Sequence, residues 1–164
     1  MSQPTQQIVI RWVFDPVLEP DLFEGLLSRR CFAFLFDLIA VSLLWLVAAF
    51  VVFFLGLATF GLAWLVYPAL WPVIGLLYTV SGLSGPSSAT AGMRAMGLSM
   101  RTLDGARPDA LRALFHVVIF YALSFGLTPL VHLIGLFNVR RQLLQDMIVG
   151  VVVLDGRVLA MTGR

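Results

Sequence analysis

The charged residues of this chain leave one long gap. No Asp, Glu, Lys or Arg occurs at residues 38–93, which makes 56 consecutive uncharged positions. A single helix of that length would extend for roughly 84 Å at about 1.5 Å per residue, whereas the hydrocarbon core of a bilayer is about 30 Å thick. The pattern therefore predicts two transmembrane helices, helix 1 at about 29–56 and helix 2 at about 61–81, joined by a turn between Gly56 and Gly61.

A second uncharged stretch covers residues 113–139, which is 27 positions, and has Gly126 and Pro129 near its middle. It allows two structures. A single kinked helix would cross the bilayer and place the C-terminus outside. A break between Gly126 and Pro129 would instead give a re-entrant segment that enters and returns on one side.

Arginine positions bear on this choice. Arg29 and Arg30 precede helix 1, four arginines lie between helix 2 and residue 113, and four more follow residue 139. Because short loops rich in arginine stay in the cytoplasm, we expect a cytoplasmic N-terminus. The same rule favours the re-entrant form of the third segment, which keeps both ends of the chain on that side.

The other segments are predicted connections. Residues 1–28 are expected to form an uncleaved cytoplasmic leader with a short interfacial helix at about 22–27. We assign residues 82–112 to a cytoplasmic connection, 140–154 to an interfacial segment that ends in a short strand or buried tail, and 155–164 to a C-terminal tail. The predicted fold class is an all-α membrane protein: two full transmembrane helices, a third kinked or re-entrant apolar segment, and short interfacial helices.

Composition narrows the function classes. Hydrophobic residues make up 60% of the chain and charged residues 12%, whereas soluble domains carry about 25% charged residues, so a water-soluble enzyme is disfavoured. All eleven basic residues are arginine and the formal net charge is +2, which disfavours nucleic acid as a partner. The single cysteine, Cys31, excludes an internal disulfide and a cysteine-only metal site. We expect the lipid bilayer to be the main partner.

Asp37 is the ionisable residue that this pattern makes most unusual. It follows Arg30 by seven residues, which places it about 10 Å deeper along helix 1. A carboxylate near a helix centre costs about 2.5–3.5 kcal/mol on insertion scales, so Asp37 is expected to face the bundle interior. It can serve as a cation, proton or ligand site, or as a hydrogen-bonding residue that fixes helix packing. Arg30 can anchor the cytoplasmic end of helix 1 or provide a fixed cation beside a polar cavity.

The remaining polar residues of the apolar segments suggest little chemistry. Residues 140–147 have i to i+4 spacings typical of a solvated helix face, and Asp146 is expected there unless this helix folds back against the bundle. His116 and His132 are expected to serve polar packing, because no H-x-x-x-H pattern accompanies them. No nucleophile elbow or phosphate loop is present. We therefore predict no catalytic residues, no metal site and no cofactor.

Three blocks taken together resemble the signature of the RDD family of small bacterial membrane proteins. They are residues 30–37 (RCFAFLFD), 92–98 (GMRAMGL) and 140–146 (RRQLLQD), in the family's order and with hydrophobic segments between them. The resemblance covers roughly residues 25–154. It implies that the arginine and two aspartates for which the family is named are Arg30, Asp37 and Asp146. The candidate supporting residues are Arg94, Arg140 and Arg141.

The resemblance also implies a multi-pass protein of the bacterial inner membrane. Transport of an unidentified ligand, including Na⁺/H⁺ exchange, is the role suggested for this family. We therefore expect transport of an ion or small solute by an oligomer, with Asp37 as the cation or proton site. The alternative is a non-catalytic accessory or scaffold subunit of a larger membrane complex, since two spans and a broken segment leave little room for a solute path.

Overall fold

The computed structural model describes residues 13–126 and 134–162. Helices dominate it, and two short strands form one antiparallel pair. Short 3-10 turns cover Pro20–Leu22 and Leu62–Val66. The helices are α1 (Leu26–Ala58), α2 (Tyr67–Ser84), α3 (Ala91–Ala95), α4 (Ala110–Gly126), α5 (Ile134–Phe137), α6 (Leu144–Val149) and α7 (Gly156–Met161), and the strands are β1 (Leu98–Thr102) and β2 (Val151–Asp155).

Helices α1 and α2 form an antiparallel hairpin with a tight turn. Gly61 adopts a φ of +93°, which glycine tolerates without strain. A Cβ atom on Gly56 would lie 1.8 Å from Nε1 of Trp64, so only glycine lets this indole pack against α1. The Trp64 indole N–H donates to the Phe53 carbonyl at 3.3 Å. The two glycines and Trp64 thus close the hairpin at the predicted position.

The side chains on the outer surface of this hairpin show whether it is surrounded by water or by lipid. The spans Pro20–Ala58 and Leu62–Ser84 are long and apolar enough to cross a membrane, yet only 11% and 6% of their most apolar windows are buried inside the protein. A core helix of a soluble protein would bury most of its apolar side chains. Large side chains such as Leu46, Phe50 and Leu65 are instead 61%, 66% and 76% exposed. The chain is a membrane protein whose hairpin faces lipid.

Five short elements pack around the start of α1, and we call them the cap: α3, β1, α6, β2 and α7. In the β1–β2 pair Leu98 lies opposite Asp155 and Thr102 opposite Val151. The four residues Val151 to Leu154 are all buried, together with Leu26 of α1. This is the main core of the described residues, so the cap packs as a small globular unit onto one end of a lipid-facing hairpin.

Helix boundaries differ from the predicted ones for local reasons. Helix α1 begins three residues before the predicted start, because Gly25, with a φ of +62°, turns the chain immediately ahead of it. Helix α2 begins at Tyr67 rather than near residue 61, because residues 62–66 form a 3-10 turn. Pro68 lies in the first turn of α2, where its missing N–H costs no hydrogen bond, and Pro72 lies inside the helix.

The predicted connections contain more structure than expected. The segment 82–112 includes the end of α2, all of α3 and all of β1, and 140–154 includes α6 and β2. Residues 155–164, predicted as a tail, include α7, whose Leu159 is buried. In the leader, Leu22 and Phe23 are buried around a three-residue 3-10 turn instead of lying in the interface on a helix. Buried apolar partners in the cap explain that difference.

Helix α4 begins the third apolar segment. It packs against α2 and α6, and its Phe120 ring lies 6.3 Å from that of Phe34 in α1. The predicted break between Gly126 and Pro129 stays a prediction, because residues 127–133 lie outside the described residues. The three helices α1, α2 and α4 therefore share one interior, which the cap covers at one end.

Candidate functional site

A cavity of about 290 Å³ lies between α1, α2 and α4. Along α1 its wall runs from Arg30 to Val41, which is about 16 Å of helix at 1.5 Å per residue. One end is polar and lies under α6, while the other is lined by aromatic and aliphatic side chains. The polar lining residues are Arg30, Asp37, Thr79, Thr90, His116, Gln145 and Asp146, and apolar ones include Phe34, Val41, Trp71, Val117 and Phe120.

Arg30 and Asp146 form a buried ion pair at the polar end. Arg30 stands in the second turn of α1, and its Nη1 lies 2.5 Å from Oδ2 of Asp146. Their side chains are 12% and 1% exposed. Asp146 is the third residue of α6, and the same Oδ2 accepts the Leu143 backbone N–H at 3.0 Å, which satisfies a free amide at the start of this helix. The expected solvated helix face for Asp146 is therefore wrong, because α6 folds back against α1 and α4 and buries this side chain.

His116 completes this group from α4. Its Nδ1 lies 3.6 Å from Oδ1 of Asp146, which is too long for a hydrogen bond. The cluster thus contains one guanidinium, one carboxylate and one imidazole, contributed by three different helices. Proximity of this kind was not predicted, since His116 and Asp146 are separated by the whole second half of the third apolar segment.

Several buried polar atoms of this cluster lack a hydrogen-bond partner. In the described part of the chain five such side-chain atoms occur, and four of them belong to residues that line the cavity. They are Nε and Nη2 of Arg30, Nδ1 of His116 and Oε1 of Gln145. Leaving a buried polar group unpaired costs about 1–3 kcal/mol, and native proteins contain few of them. Their concentration around one cavity makes it the candidate binding site of the described residues.

Asp37 lies further along the same cavity and is bonded differently. Its Oδ1 accepts the Tyr78 hydroxyl at 2.6 Å and the Gly92 backbone N–H at 2.7 Å, and its Oδ2 accepts the Thr90 hydroxyl at 2.5 Å. Thr90 is also the N-cap of α3, accepting from Met93 N. Asp37 therefore joins α1, α2 and the start of α3 through three neutral donors, and both of its oxygens are occupied.

Gly92 makes the close approach of α3 possible. A Cβ atom there would lie 2.1 Å from the Ala33 carbonyl oxygen and 2.8 Å from Oδ1 of Asp37. No side chain fits in that space. The glycine of the middle sequence block thus has a packing reason: it lets the backbone N–H of α3 reach the carboxylate.

A second arginine pairs with the far end of the chain. Nη1 of Arg29 lies 2.5 Å from Oδ2 of Asp155, and its other nitrogens donate to the carbonyls of Met96 and Gly97. Burial alone would raise the pKa of the Asp155 carboxyl, but hydrogen bonds from Arg29 and from the Arg157 amide hold that pKa below its usual value. Arg29 and Arg30 point in different directions because a helix turns about 100° per residue. The pairing of Arg29 with Asp155 was not predicted from the sequence, which indicated only a topological role for Arg29.

The structure brings together the three main residues that the sequence analysis selected. Arg30, Asp37 and Asp146 all line the cavity. The candidate supporting residues do not: Arg94 is exposed on α3, and Arg140 and Arg141 lie just before α6, away from the cavity lining. Tyr78, Thr90 and Gln145 were missed, since hydroxyl and amide groups in apolar or loop segments carry no pattern of their own. Within residues 13–126 and 134–162, no group of three or more His, Cys, Asp or Glu residues could hold a metal ion.

Comparison with protein families gives one match. The model of the RDD family matches residues 25–150, about three quarters of the chain. The matched segment begins before α1 and ends after α6, so it includes every residue of the Arg30–Asp146 pair and the Asp37 site. No curated protein and no solved structure shows significant similarity to the chain.

Proposed function

Because the chain belongs to the RDD family, we propose that it is a membrane protein that binds a small solute between α1, α2 and α4 and moves it across the bilayer as an oligomer. The unpartnered polar atoms of Arg30, His116 and Gln145 carry this proposal. Their residues line a cavity of about 290 Å³, close to the lower end of the roughly 300–1,000 Å³ typical of ligand pockets. A bound solute would pair with the unpartnered nitrogens of Arg30 and fill the apolar remainder.

The same geometry argues for moving the solute site away from Asp37. A cation needs free lone pairs on its ligands, but three donors already use three of the roughly four lone-pair sites of the Asp37 carboxylate. Asp37 is better suited to hold α1, α2 and α3 in position. The groups that still lack partners lie around Arg30 instead, so we assign solute binding to the Arg30, His116 and Gln145 end of the cavity.

Oligomerisation is part of the proposal because one copy encloses too little polar wall. Beyond Val41 and Trp71 the hairpin presents mainly exposed apolar side chains, among them Leu46 and Phe50. A path for a polar solute through that half of the bilayer requires walls from further copies.

Accessibility of the cavity to water tests this function. Cys31 is the single cysteine and is replaced by serine. Thr79→Cys then places a thiol on the cavity wall, and Leu77→Cys, two residues away on α2 and 64% exposed toward lipid, is the matched control. In oriented vesicles we expect a membrane-impermeant thiol reagent to label position 79 from both sides and position 77 from neither.

Each other outcome removes part of the proposal. Labelling of Thr79→Cys from one side alone would limit the function to binding and reject transport. No labelling from either side would reject the cavity as a solute site and leave the accessory-subunit alternative. Purification in mild detergent at native expression separates the same alternatives: a homo-oligomer is expected, whereas a different membrane protein at fixed stoichiometry would favour the accessory role.

A further inference from the structure

The unused edge of the Arg30 guanidinium indicates what kind of ligand the cavity takes. Nη1 is occupied by Asp146, whereas Nε and Nη2 have no partner and are fully buried beside the cavity that Arg30 lines, so a ligand would reach them after a small movement of the neighbouring side chains. These two nitrogens form one edge of a planar fork whose N–H groups point in parallel. That spacing matches two oxygens of one carboxylate or phosphate, which is why arginine recognises such groups in a bidentate manner.

The two aspartates near this edge are less suited than Arg30 to bind a ligand. Asp146 has its own contacts with Arg30 and the Leu143 amide, and both oxygens of Asp37 are occupied by neutral donors. The unpartnered acceptor at the cavity is Oε1 of Gln145, and Nδ1 of His116 is the further unpartnered nitrogen. A cation at this position would be repelled by the Arg30 guanidinium. An anion could accept hydrogen bonds from at least two donors, Nε and Nη2 of Arg30.

The rest of the cavity is apolar. Phe34 and Phe120 approach each other at 6.3 Å between ring centroids, and Trp71 and Val41 continue the wall away from Arg30. An alkyl chain extending from a group bound at Arg30 would remove these side chains from water. Building on the proposed function, we propose that the ligand is an amphipathic anion: two anionic oxygens on Nε and Nη2 of Arg30, and an apolar chain between α1, α2 and α4.

Arginine side-chain NMR tests the assignment at the atoms concerned. The full chain is labelled with ¹⁵N-arginine in phosphatidylcholine nanodiscs, and the Arg30 Nε–Hε resonance is assigned by its loss in Arg30→Lys. Decanoate is the probe, and decanamide is the uncharged control of the same shape. We expect decanoate to shift the Arg30 resonance downfield and to bind at least tenfold more tightly than decanamide, because charge-assisted bonds are stronger than neutral ones.

The anionic oxygens can come from a free acid or from a lipid headgroup. A second set of nanodiscs therefore contains phosphatidic acid and no decanoate. A shift with decanoate identifies a free amphipathic acid, and a shift with phosphatidic acid identifies a lipid phosphate. If neither moves the Arg30 resonance, or if decanamide binds as tightly as decanoate, the anion proposal is wrong. Labelling of Thr79→Cys from both sides would still support solute transport in that case, so the two failures are distinguishable.

Variants of Gln145 keep the test independent of the Arg30–Asp146 pair. Gln145→Glu places a carboxylate on the same wall, and we expect it to weaken decanoate binding at least tenfold. Gln145→Leu removes the unpartnered carbonyl without adding charge and should weaken decanoate binding clearly less than Gln145→Glu does. Both variants must show the wild-type melting temperature within a few degrees in the same nanodiscs. Equal decanoate affinity in the two variants would contradict the proposal.

Discussion

The two aspartates of the cavity are held in opposite ways. Asp37 receives three hydrogen bonds from neutral donors and has no arginine among its hydrogen-bond partners, whereas Asp146 receives a guanidinium and one backbone amide. Each oxygen of Asp37 accepts at least one of these hydrogen bonds. Around Asp146 the arginine that neutralises it leaves two of its own nitrogens unpaired, and a histidine and a glutamine add further unpaired atoms.

This difference separates a packing role from a binding role. A carboxylate surrounded by neutral donors is well satisfied and gives a ligand little to exchange. A guanidinium tied to a carboxylate along one edge is fixed in position and still has donors available. The sequence pattern favours Asp37 as the binding residue and a solvated helix face for Asp146, and only their partners in the structure reverse that order.

The largest expected effect is at Asp146. Asp146→Ala leaves Arg30 buried without its counter-ion, and removing one partner of a buried pair destabilises by about 3–5 kcal/mol. Thermal unfolding in detergent measures this. Glu24→Ala, at an exposed position, is the control and should change stability by less than about 0.5 kcal/mol. The double variant Arg30→Met with Asp146→Leu should recover most of the stability and lose decanoate binding. Equal melting of Asp146→Ala and Glu24→Ala would show that the pair contributes nothing.

Gly92→Ala is expected to cause the next largest loss of stability. Its Cβ would overlap the Ala33 carbonyl, so α3 must move away from α1 and the Asp37 hydrogen bonds must lengthen. Overpacking of this kind costs about 1–3 kcal/mol, and backbone contact places this variant near the upper value. Gly82→Ala is a milder comparison, because its Cβ would lie 3.0 Å from the Thr90 Cα. Comparable stability of Gly92→Ala and wild type would refute the close α1–α3 contact.

Asp37→Asn tests directly whether Asp37 has a packing role or a binding role. The amide oxygen can keep the Tyr78 and Gly92 donors but not Thr90, so one bond is lost, the other two lose their charge assistance, and stability should fall by about 2 kcal/mol. Because we place the solute at Arg30, decanoate affinity should change by less than about threefold, which titration calorimetry measures. Ser81→Ala, whose hydroxyl donates to the Tyr78 carbonyl on the same helix, is the matched control. Unchanged stability with abolished binding or flux would return the ligand site to Asp37.

The smallest effect concerns Asp155 and is visible in pH dependence. Its pKa is lower in the folded protein than in the unfolded chain. The stabilisation is therefore complete above the unfolded pKa of about 3.9 and is lost as pH falls through the folded pKa. Asp155→Asn keeps an N-cap for α7 but loses the charge, so it should cost about 0.5–1 kcal/mol at pH 7 and nothing below about pH 2. A cost that is the same at both pH values would exclude the Arg29 ion pair as its cause.

The hairpin was predictable because lipid imposes a simple rule on sequence. Fifty-six uncharged positions exceed one bilayer crossing, and glycine marks the turn, so α1 and α2 were located to within a few residues except where the 62–66 turn delays α2. The family resemblance likewise selected Arg30, Asp37 and Asp146. Strand β2 was expected as a short strand or a buried tail.

The cap was not predictable in the same way. Its five elements are five or six residues long, too short for periodicity to identify, and β1 pairs with β2 across about fifty residues. The burial of Asp146 depends on this long-range pairing, since α6 is positioned by β2, which follows it directly. A local helical spacing of charges therefore favoured a solvated face for a residue that is 1% exposed.

During synthesis, Arg29 and Arg30 are made well before the aspartates with which they pair. Arg29 and Arg30 are separated from Asp155 and Asp146 by 126 and 116 residues. At about 5–20 residues per second, roughly 6–25 s of translation pass before these acids emerge. During that interval the two side chains are free cations at the start of a nascent hairpin and can direct its insertion. The two ion pairs can therefore form only after nearly the whole of the described chain has been made.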